Sequence, residues 1–104
     1  MSLKDSLLKK LETRRDHWSK QVERLRAESE EEQARAEDEK AEAEVREKFA
    51  KRIQGVEDRM DQARSRMDEL REAGEDKVDS LKGKVDDFLS SNEDEEDRSQ
   101  ASNQ

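Results

Sequence analysis

The chain has 104 residues, of which 50% are charged and only 28% are hydrophobic, and nine of the hydrophobic residues are alanines. Leu, Ile, Val and Phe together number 16, too few to enclose the core of an ordinary globular enzyme. The formal charge of −8 argues against binding of the whole chain to nucleic acid or to an anionic membrane. Proline is absent, and Ala, Glu, Lys, Leu and Arg number 57, which is the composition of long helices and coiled coils. We therefore predict an all-α protein.

The first predicted helix begins near Leu3. Ser2 followed by Asp5 resembles a helix N-cap with an acid at the third helical position. A narrow apolar stripe follows, with spacings of three, four and seven residues and with Arg15 as its one position that is not apolar. Its width is typical of a coiled-coil seam rather than of a globular face. The members of this first part of the seam are Leu8, Leu11, Trp18, Val22 and Leu25.

The acidic middle segment, residues 28–44, comes next. It carries nine acids and two bases and has only alanines in the seam register. The strongest heptad run of the chain then passes through Val45, Phe49, Ile53, Val56, Met60, Ala63, Met67 and Leu70. At Gly74 the register slips by four residues, which is the insertion called a stutter. Beyond it the seam continues through Val78, Leu81, Val85 and Phe88.

The sequence predicts two regions. Residues 3–89 form a helical coiled-coil region, in which Gly74 is the candidate for a bend. Residues 90–104 form a disordered acidic tail, and its first three residues, 90–92, are predicted to stop the helix. An unbroken helix over residues 3–89 would be about 130 Å long. Because such a helix has nowhere to bury its stripe, we expect it to associate with a second copy or to fold back as a hairpin.

The distribution of charge favours antiparallel pairing. Residues 1–27 have a net charge of +4, residues 28–44 of −7 and residues 75–104 of −6. A parallel in-register dimer would place two −7 segments side by side, which like-charge repulsion disfavours. Antiparallel pairing centred near residue 48 avoids this, and because no good turn lies there, a homodimer is preferred to a hairpin. The arginines that would then face the acidic middle segment are Arg52, Arg59, Arg64 and Arg66.

The sequence contains no catalytic or metal-binding constellation. His17 is the only histidine and cysteine is absent, so neither a histidine zinc pair nor a thiolate site can be assembled, and no nucleophile stands beside a base. The acids of residues 28–44 would splay outward from a straight helix, whereas Ca²⁺ and Mg²⁺ need ligands that converge from a turn. We therefore predict a protein that is not an enzyme and that uses no cofactor, metal or small-molecule substrate.

Basic residues of the first helix, with Trp18 among them, form the only patch suited to phosphates. These cations are Lys4, Lys9, Lys10, Arg14, Arg15, Lys20, Arg24 and Arg26. Interleaved acids weaken the patch, and Trp18 lies on the seam, where it is expected to anchor packing rather than to stack on bases. The amphipathic segment 78–89 carries acids that anionic lipid would repel. We predict neither nucleic-acid nor membrane binding and, because no apolar run suits a signal peptide or a span, a cytoplasmic location.

Four short motifs lie along residues 3–89, on either side of the alanine-rich and acidic middle. They are a Leu-Glu then Trp opening (Leu11, Glu12, Trp18), a Leu-x-Ala step (Leu25, Ala27), a Glu-Leu-x-Glu-Ala close (Glu69, Leu70, Glu72, Ala73) and an acidic Leu-Lys segment (Leu81, Lys82). In these motifs the chain resembles a group of short, highly charged bacterial coiled-coil proteins that are often labelled stress-response proteins. The resemblance implies a stress-related setting and no catalytic residues. One departure is that Lys77-Val78 replaces the tryptophan common after the Glu-Ala step, which leaves Phe88 as the only late aromatic residue.

Two hypotheses of function follow from these features. The first is a non-enzymatic, stress-associated interaction protein that self-associates through the seam as an antiparallel homodimer, or that pairs with a partner helix. The second is an adaptor or regulator that binds a protein, an anionic lipid or nucleic acid through its basic N-terminal helix, with the acidic tail serving autoinhibition or solubility. Salt-dependent binding of residues 1–27 to a polyanion would favour the second hypothesis.

Overall fold

A computed structural model of the protein describes the backbone of residues 2–102 and the side chains of residues 2–92. Within these residues the chain forms three α-helices and no strand. The helices are α1 (Leu3–Arg35), α2 (Glu39–Glu72) and α3 (Glu75–Ser102). The predicted all-α fold class is therefore confirmed.

Side-chain caps mark the starts of α1 and α2. The backbone N–H of Asp5 donates to Ser2 Oγ at 3.1 Å, and α1 begins at Leu3 as predicted. The backbone N–H of Ala41 donates to Asp38 Oδ1 at 2.8 Å. Each bond satisfies one of the N–H groups that the start of a helix leaves without an intrahelical partner. The local sequence thus fixes where both helices begin.

Residues 36–38 separate α1 from α2, so of the two predicted arrangements, a long helix or a helical hairpin, the chain forms the hairpin here. At the end of α1 the backbone N–H of Ala36 donates to the Gln33 carbonyl at 3.2 Å, which tightens the last turn. Asp38 then caps α2. Because these two local bonds end one helix and begin the next, the chain reverses here without glycine or proline, and not near residue 48.

Ala73 and Gly74 separate α2 from α3. The Ala73 N–H donates to the Leu70 carbonyl at 3.2 Å, and the N–H groups of Lys77 and Val78 donate to the Gly74 carbonyl at 3.0 and 3.2 Å. The break coincides with the glycine that the sequence singled out as a bend, where helix propensity is low. The predicted stutter is therefore wrong, because the apolar register shifts between two helices rather than within one.

Helix α3 includes residues 90–92, where the sequence predicted a helix stop. The side-chain amide of Asn92 donates to the Phe88 carbonyl at 2.7 Å, and Asn92 is buried. This bond to the preceding turn occupies the polar side chain within the helix, so the asparagine does not end it. The boundary predicted after residue 89 is therefore too early. The remainder of the predicted tail, residues 93–104, lies outside the residues whose side chains are described.

The chain divides into two compact units, and the second of them, Arg15–Gln62, is a helical hairpin. The end of α1 and the start of α2 run antiparallel within it. Arg46 Nε donates to Gln33 Oε1 at 3.3 Å near the turn, and Arg26 Nη2 lies 3.5 Å from Glu57 Oε2 farther from it. The buried apolar side chains of this unit are Trp18, Val22, Leu25, Phe49 and Val56.

The first unit comprises Met1–Arg14 and Ala63–Gln104, and three helical segments meet in its described part. These are the start of α1, the end of α2 and α3. Lys4 Nζ on α1 donates to the Arg71 carbonyl on α2 at 3.2 Å. All three segments supply buried apolar side chains, namely Leu7, Leu11, Ala63, Met67, Leu70, Ala73, Val78, Leu81 and Val85.

Candidate interaction surface

Every predicted seam residue is at least half-buried within the single chain. Twelve of the seventeen are buried, namely Leu11, Trp18, Val22, Leu25, Phe49, Val56, Ala63, Met67, Leu70, Val78, Leu81 and Val85. The other five, Leu8, Val45, Ile53, Met60 and Phe88, are half-buried. The helices of this chain therefore cover most of the surface that we expected a second copy to cover.

Four buried residues of the described chain lie outside the predicted seam, namely Leu7, Ser29, Ala73 and Asn92. Leu7 is 1% exposed, whereas the predicted Leu8 beside it is half-buried. Leu7 lies four residues before Leu11, so helical spacing alone would have placed it on the stripe. Ser29 is also buried, and its hydroxyl accepts a hydrogen bond from Gln33 Nε2 at 2.9 Å. Because the seam pattern is defined by apolar residues, it gives no indication that this serine is buried.

Trp18 and Phe49 are the largest buried side chains of the hairpin unit, and they are 0% and 2% exposed. Lys48 Nζ and the Arg52 guanidinium carbon lie 5.7 and 5.3 Å from the centre of the Phe49 ring. Both cations are within the range of cation–π attraction, and their aliphatic stems add cover to the ring. Because Trp18 is enclosed, it offers no face on which a nucleobase could stack. The basic N-terminal segment therefore has only its charges with which to bind a phosphate.

A groove of about 260 Å³ runs along one side of the hairpin unit. Its lining residues are Arg26, Ser29, Glu30 and Gln33 from α1, with Arg46, Ala50 and Ile53 from α2. Ala50 is exposed and Ile53 is half-buried, so the groove contains apolar surface. Ile53 is thus a seam residue that the two helices of the hairpin leave partly uncovered.

Polar contacts join the two helices at either end of the groove. Arg46 donates to Gln33 Oε1 at 3.3 Å on the side of the turn. The ion pair between Arg26 and Glu57, at 3.5 Å, lies on the other side. Glu30, by contrast, has no hydrogen bond or ion pair with any described residue. The groove therefore combines two cations already engaged by their own chain with one carboxylate that is not.

Charge is divided along the hairpin unit. The acidic middle segment, residues 28–44, forms the turn and the helix ends beside it, and we call it the hairpin tip; its net charge is −7. The rest of the unit, residues 15–27 and 45–62, is the hairpin base, with nine cations, six acids and a net charge of +3. The groove lies where tip and base meet.

The two halves of the hairpin tip face each other across the turn. Within one chain the acidic segment therefore faces itself, and its pairing with Arg52, Arg59, Arg64 and Arg66 across an antiparallel homodimer stays a prediction. Like charges are tolerated at the tip because most of its acids are exposed, where water and salt screen them. A pair such as Arg35 Nη2 with Glu31 Oε1, at 2.7 Å, offsets part of the repulsion within one helix.

One ion pair of the first unit has shifted pKa values. The hydrogen bond from Lys82 Nζ to Asp86 Oδ2, at 2.9 Å, lowers the pKa of the Asp86 carboxyl below its usual value, against a smaller effect of desolvation. Coulomb attraction from Lys82 and from Lys10 on α1 lowers this pKa further. The same hydrogen bond raises the pKa of Lys82. Both partners are charged at neutral pH, so the pair stabilises the fold there. That contribution is lost as pH falls through the lowered pKa of Asp86 or rises through the raised pKa of Lys82.

We predict that the carboxyl of Asp86, followed by NMR during an acid titration, has a midpoint below that of an ordinary aspartate. Replacing Lys82 with alanine should raise this midpoint, and replacing Lys10 should raise it by less. A midpoint that neither substitution moves would show that the pair does not form in solution.

A second cavity, of about 400 Å³, opens in the first unit where the start of α1 meets the start of α3. Leu3, 38% exposed, is at its edge, together with the acids Glu75 and Asp79. Nowhere in the described part of the chain do three or more His, Cys, Asp or Glu side chains form a group able to hold a metal ion. His17 is exposed on α1.

Among the described residues, no helix has both the length and the apolar character that crossing a bilayer requires. Comparison of the chain with models of protein families, with curated proteins and with solved structures finds no match. The architecture alone therefore defines its class, which is that of a small, highly charged, all-α protein with a helical hairpin and a three-segment core.

Proposed function

We propose that the protein is a non-enzymatic, self-associating helical interaction protein of the bacterial cytoplasm that acts in a stress-related setting. The observation that carries this proposal is the placement of side chains. Seam residues lie between helices, and charged residues cover the outside. Such a molecule offers extended helical surfaces to another macromolecule, which suits recognition by docking and by charge.

Self-association has two routes in this architecture. Because most of the seam is buried within one chain, a second copy can use it only if the hairpin opens at residues 36–38 and two chains exchange helices. Such an exchange preserves every seam contact and is a recognised route to dimers. Alternatively, the hairpin stays closed and a surface outside the seam forms the contact.

The stress-related part of the proposal rests on the motif resemblance described above. Six of the residues that carry it are buried, so their side chains serve packing, namely Leu11, Trp18, Leu25, Leu70, Ala73 and Leu81. The exposed, charged remainder of the chain is then the part available to partners. Charge-rich helical surfaces remain hydrated, which suits a protein that must stay dispersed when other proteins lose structure.

The proposal is tested by measuring mass in solution and abundance in the source cells. Sedimentation equilibrium of the purified chain at micromolar to submillimolar concentration should show a species heavier than the 12.2 kDa monomer. Quantitative immunoblots before and after osmotic, acid and heat stress should show a rise in amount. A strictly monomeric chain would remove self-association from the proposal, and unchanged abundance under all three conditions would remove the stress-related part.

A further inference from the structure

We infer that a second copy of this chain docks on the groove side of the hairpin unit, antiparallel to the first, so that the tip of each hairpin lies on the base of the other. The inference rests on the proposed self-association and adds to it the surface that is used. The groove is the natural centre of such a contact because Ala50 is exposed there and Ile53 is only half-buried. A second copy would cover this apolar surface and remove it from water.

The side chains around the groove suit a partner with the same surface. In a two-fold symmetric dimer each patch meets its own copy, so one patch must supply both signs of charge. The groove does so, with Arg26 and Arg46 as cations and Glu30 as the acid. Glu30 has no partner among the described residues of its own chain, so it is able to pair with a cation of the second copy.

The distribution of charge selects the antiparallel arrangement. The hairpin tip has a net charge of −7 and the hairpin base of +3, and the groove lies between them. A two-fold axis through the groove places each tip on the base of the other copy, so opposite charges meet twice. Parallel docking would instead bring the two tips together, and like-charge repulsion would oppose it.

The size of the surface suggests a weak dimer. The 21 helical residues of α1 that belong to this unit extend for about 30 Å, and two helices side by side are about 20 Å wide. One face thus presents about 600 Å², so two copies would bury roughly 1,200 Å², the lower limit for stable specific contacts. We therefore expect a dissociation constant in the micromolar range that rises as salt screens the charges.

Two matched substitutions test the surface. Ala50→Glu places a carboxylate in the groove, where it would meet its own copy and the acidic tip of the second hairpin. Gln62→Glu adds the same charge to an exposed position of α2, about 180° around the helix from the groove residue Ile53. Both replaced residues are exposed, and glutamate is a good helix former, so both variants should keep the wild-type circular dichroism spectrum and melting temperature.

Sedimentation of the full chain at several salt concentrations gives the result. We expect Ala50→Glu to weaken dimerisation by about tenfold or more and Gln62→Glu to leave the wild-type dissociation constant nearly unchanged. A wild-type dimer that both variants retain would overturn this inference and favour helix exchange, without affecting self-association. A wild-type chain that stays monomeric at low salt would overturn the inference and the proposed self-association together.

Discussion

Replacing Trp18 with alanine is expected to lower the free energy of unfolding by about 3–5 kcal/mol. Trp18 is 0% exposed and is among the largest fully buried side chains, so the change removes apolar burial and leaves a cavity in the hairpin unit. A loss of this size is a large part of the roughly 5–15 kcal/mol that stabilises a typical domain. Urea unfolding followed by far-ultraviolet circular dichroism measures it, since the substitution removes the only tryptophan and with it the fluorescence signal.

The control for this experiment is Glu23→Ala, which changes an exposed residue of the same helix. Surface substitutions of this kind alter the free energy of unfolding by no more than about 0.5 kcal/mol. Trp18→Phe provides an intermediate, because it keeps an aromatic ring but fills less of the space. If Trp18→Ala unfolded at the same urea concentration as Glu23→Ala, Trp18 would not lie in the core of the hairpin.

Val85→Asp is expected to release α3 from the first unit. Val85 is 1% exposed, so a carboxylate at this position would be buried without a partner. Removing an unpaired charge from water destabilises the folded state far more than adding the same charge at an exposed position. The loss should extend to α1, because Leu7 and Leu11 belong to the same three-segment core. We expect a clear fall in helicity by circular dichroism and faster hydrogen exchange in peptides from residues 3–14.

Ser80→Asp is the matched control, since it adds the same charge to the same helix at an exposed position. It should leave helicity and hydrogen exchange close to those of the wild type. Equal behaviour of Val85→Asp and Ser80→Asp would show that α3 does not pack against the start of α1 and the end of α2. Faster exchange confined to α3 in the Val85→Asp variant would show that the other two segments hold together alone.

The helical fold and most of the core could be predicted from the sequence. Apolar spacings of three and four residues fix which side chains share a helix face, whatever that face packs against. For this reason Trp18 and Phe49 were placed on the stripe correctly, although the stripe is buried within one chain. The same rule applied without the assumption of a two-helix seam would also have found Leu7, because a core of three segments buries a wider face.

The turn at residues 36–38 could not be predicted from propensity. Its residues include neither glycine nor proline, and alanine and acids are common within helices. What ends α1 and begins α2 is a pair of local bonds, one of them from the Ala41 N–H to Asp38 Oδ1. An aspartate within an acidic, helix-forming segment gives no sign that it acts as a cap rather than as one more exposed charge. Pairing centred near residue 48, instead of at this turn, also changes which charged residues of the two helices face each other.

The groove forms only when α1 and α2 pair about the turn at residues 36–38. Glu30 and Ile53 are far apart in the sequence, and only the antiparallel hairpin centred on the turn places both in one groove. The absence of a partner for Glu30 in the described part of the chain is likewise a property of distances between helices. Composition and spacing within a single helix carry no information about either feature.

The junction of α2 and α3 has a consequence for how this chain behaves when its packing is disturbed. A Cβ atom built at Gly74 would meet nothing within 4 Å, and the described backbone contains no glycine with positive φ. The bend is therefore stabilised by the weak helix propensity of glycine and by burial of neighbours such as Val78. It does not depend on the positive φ values that favour glycine. Conditions that loosen this packing would allow the bend at Gly74 to straighten. The apolar side chains that are now buried beside it would then be exposed and able to contact other molecules.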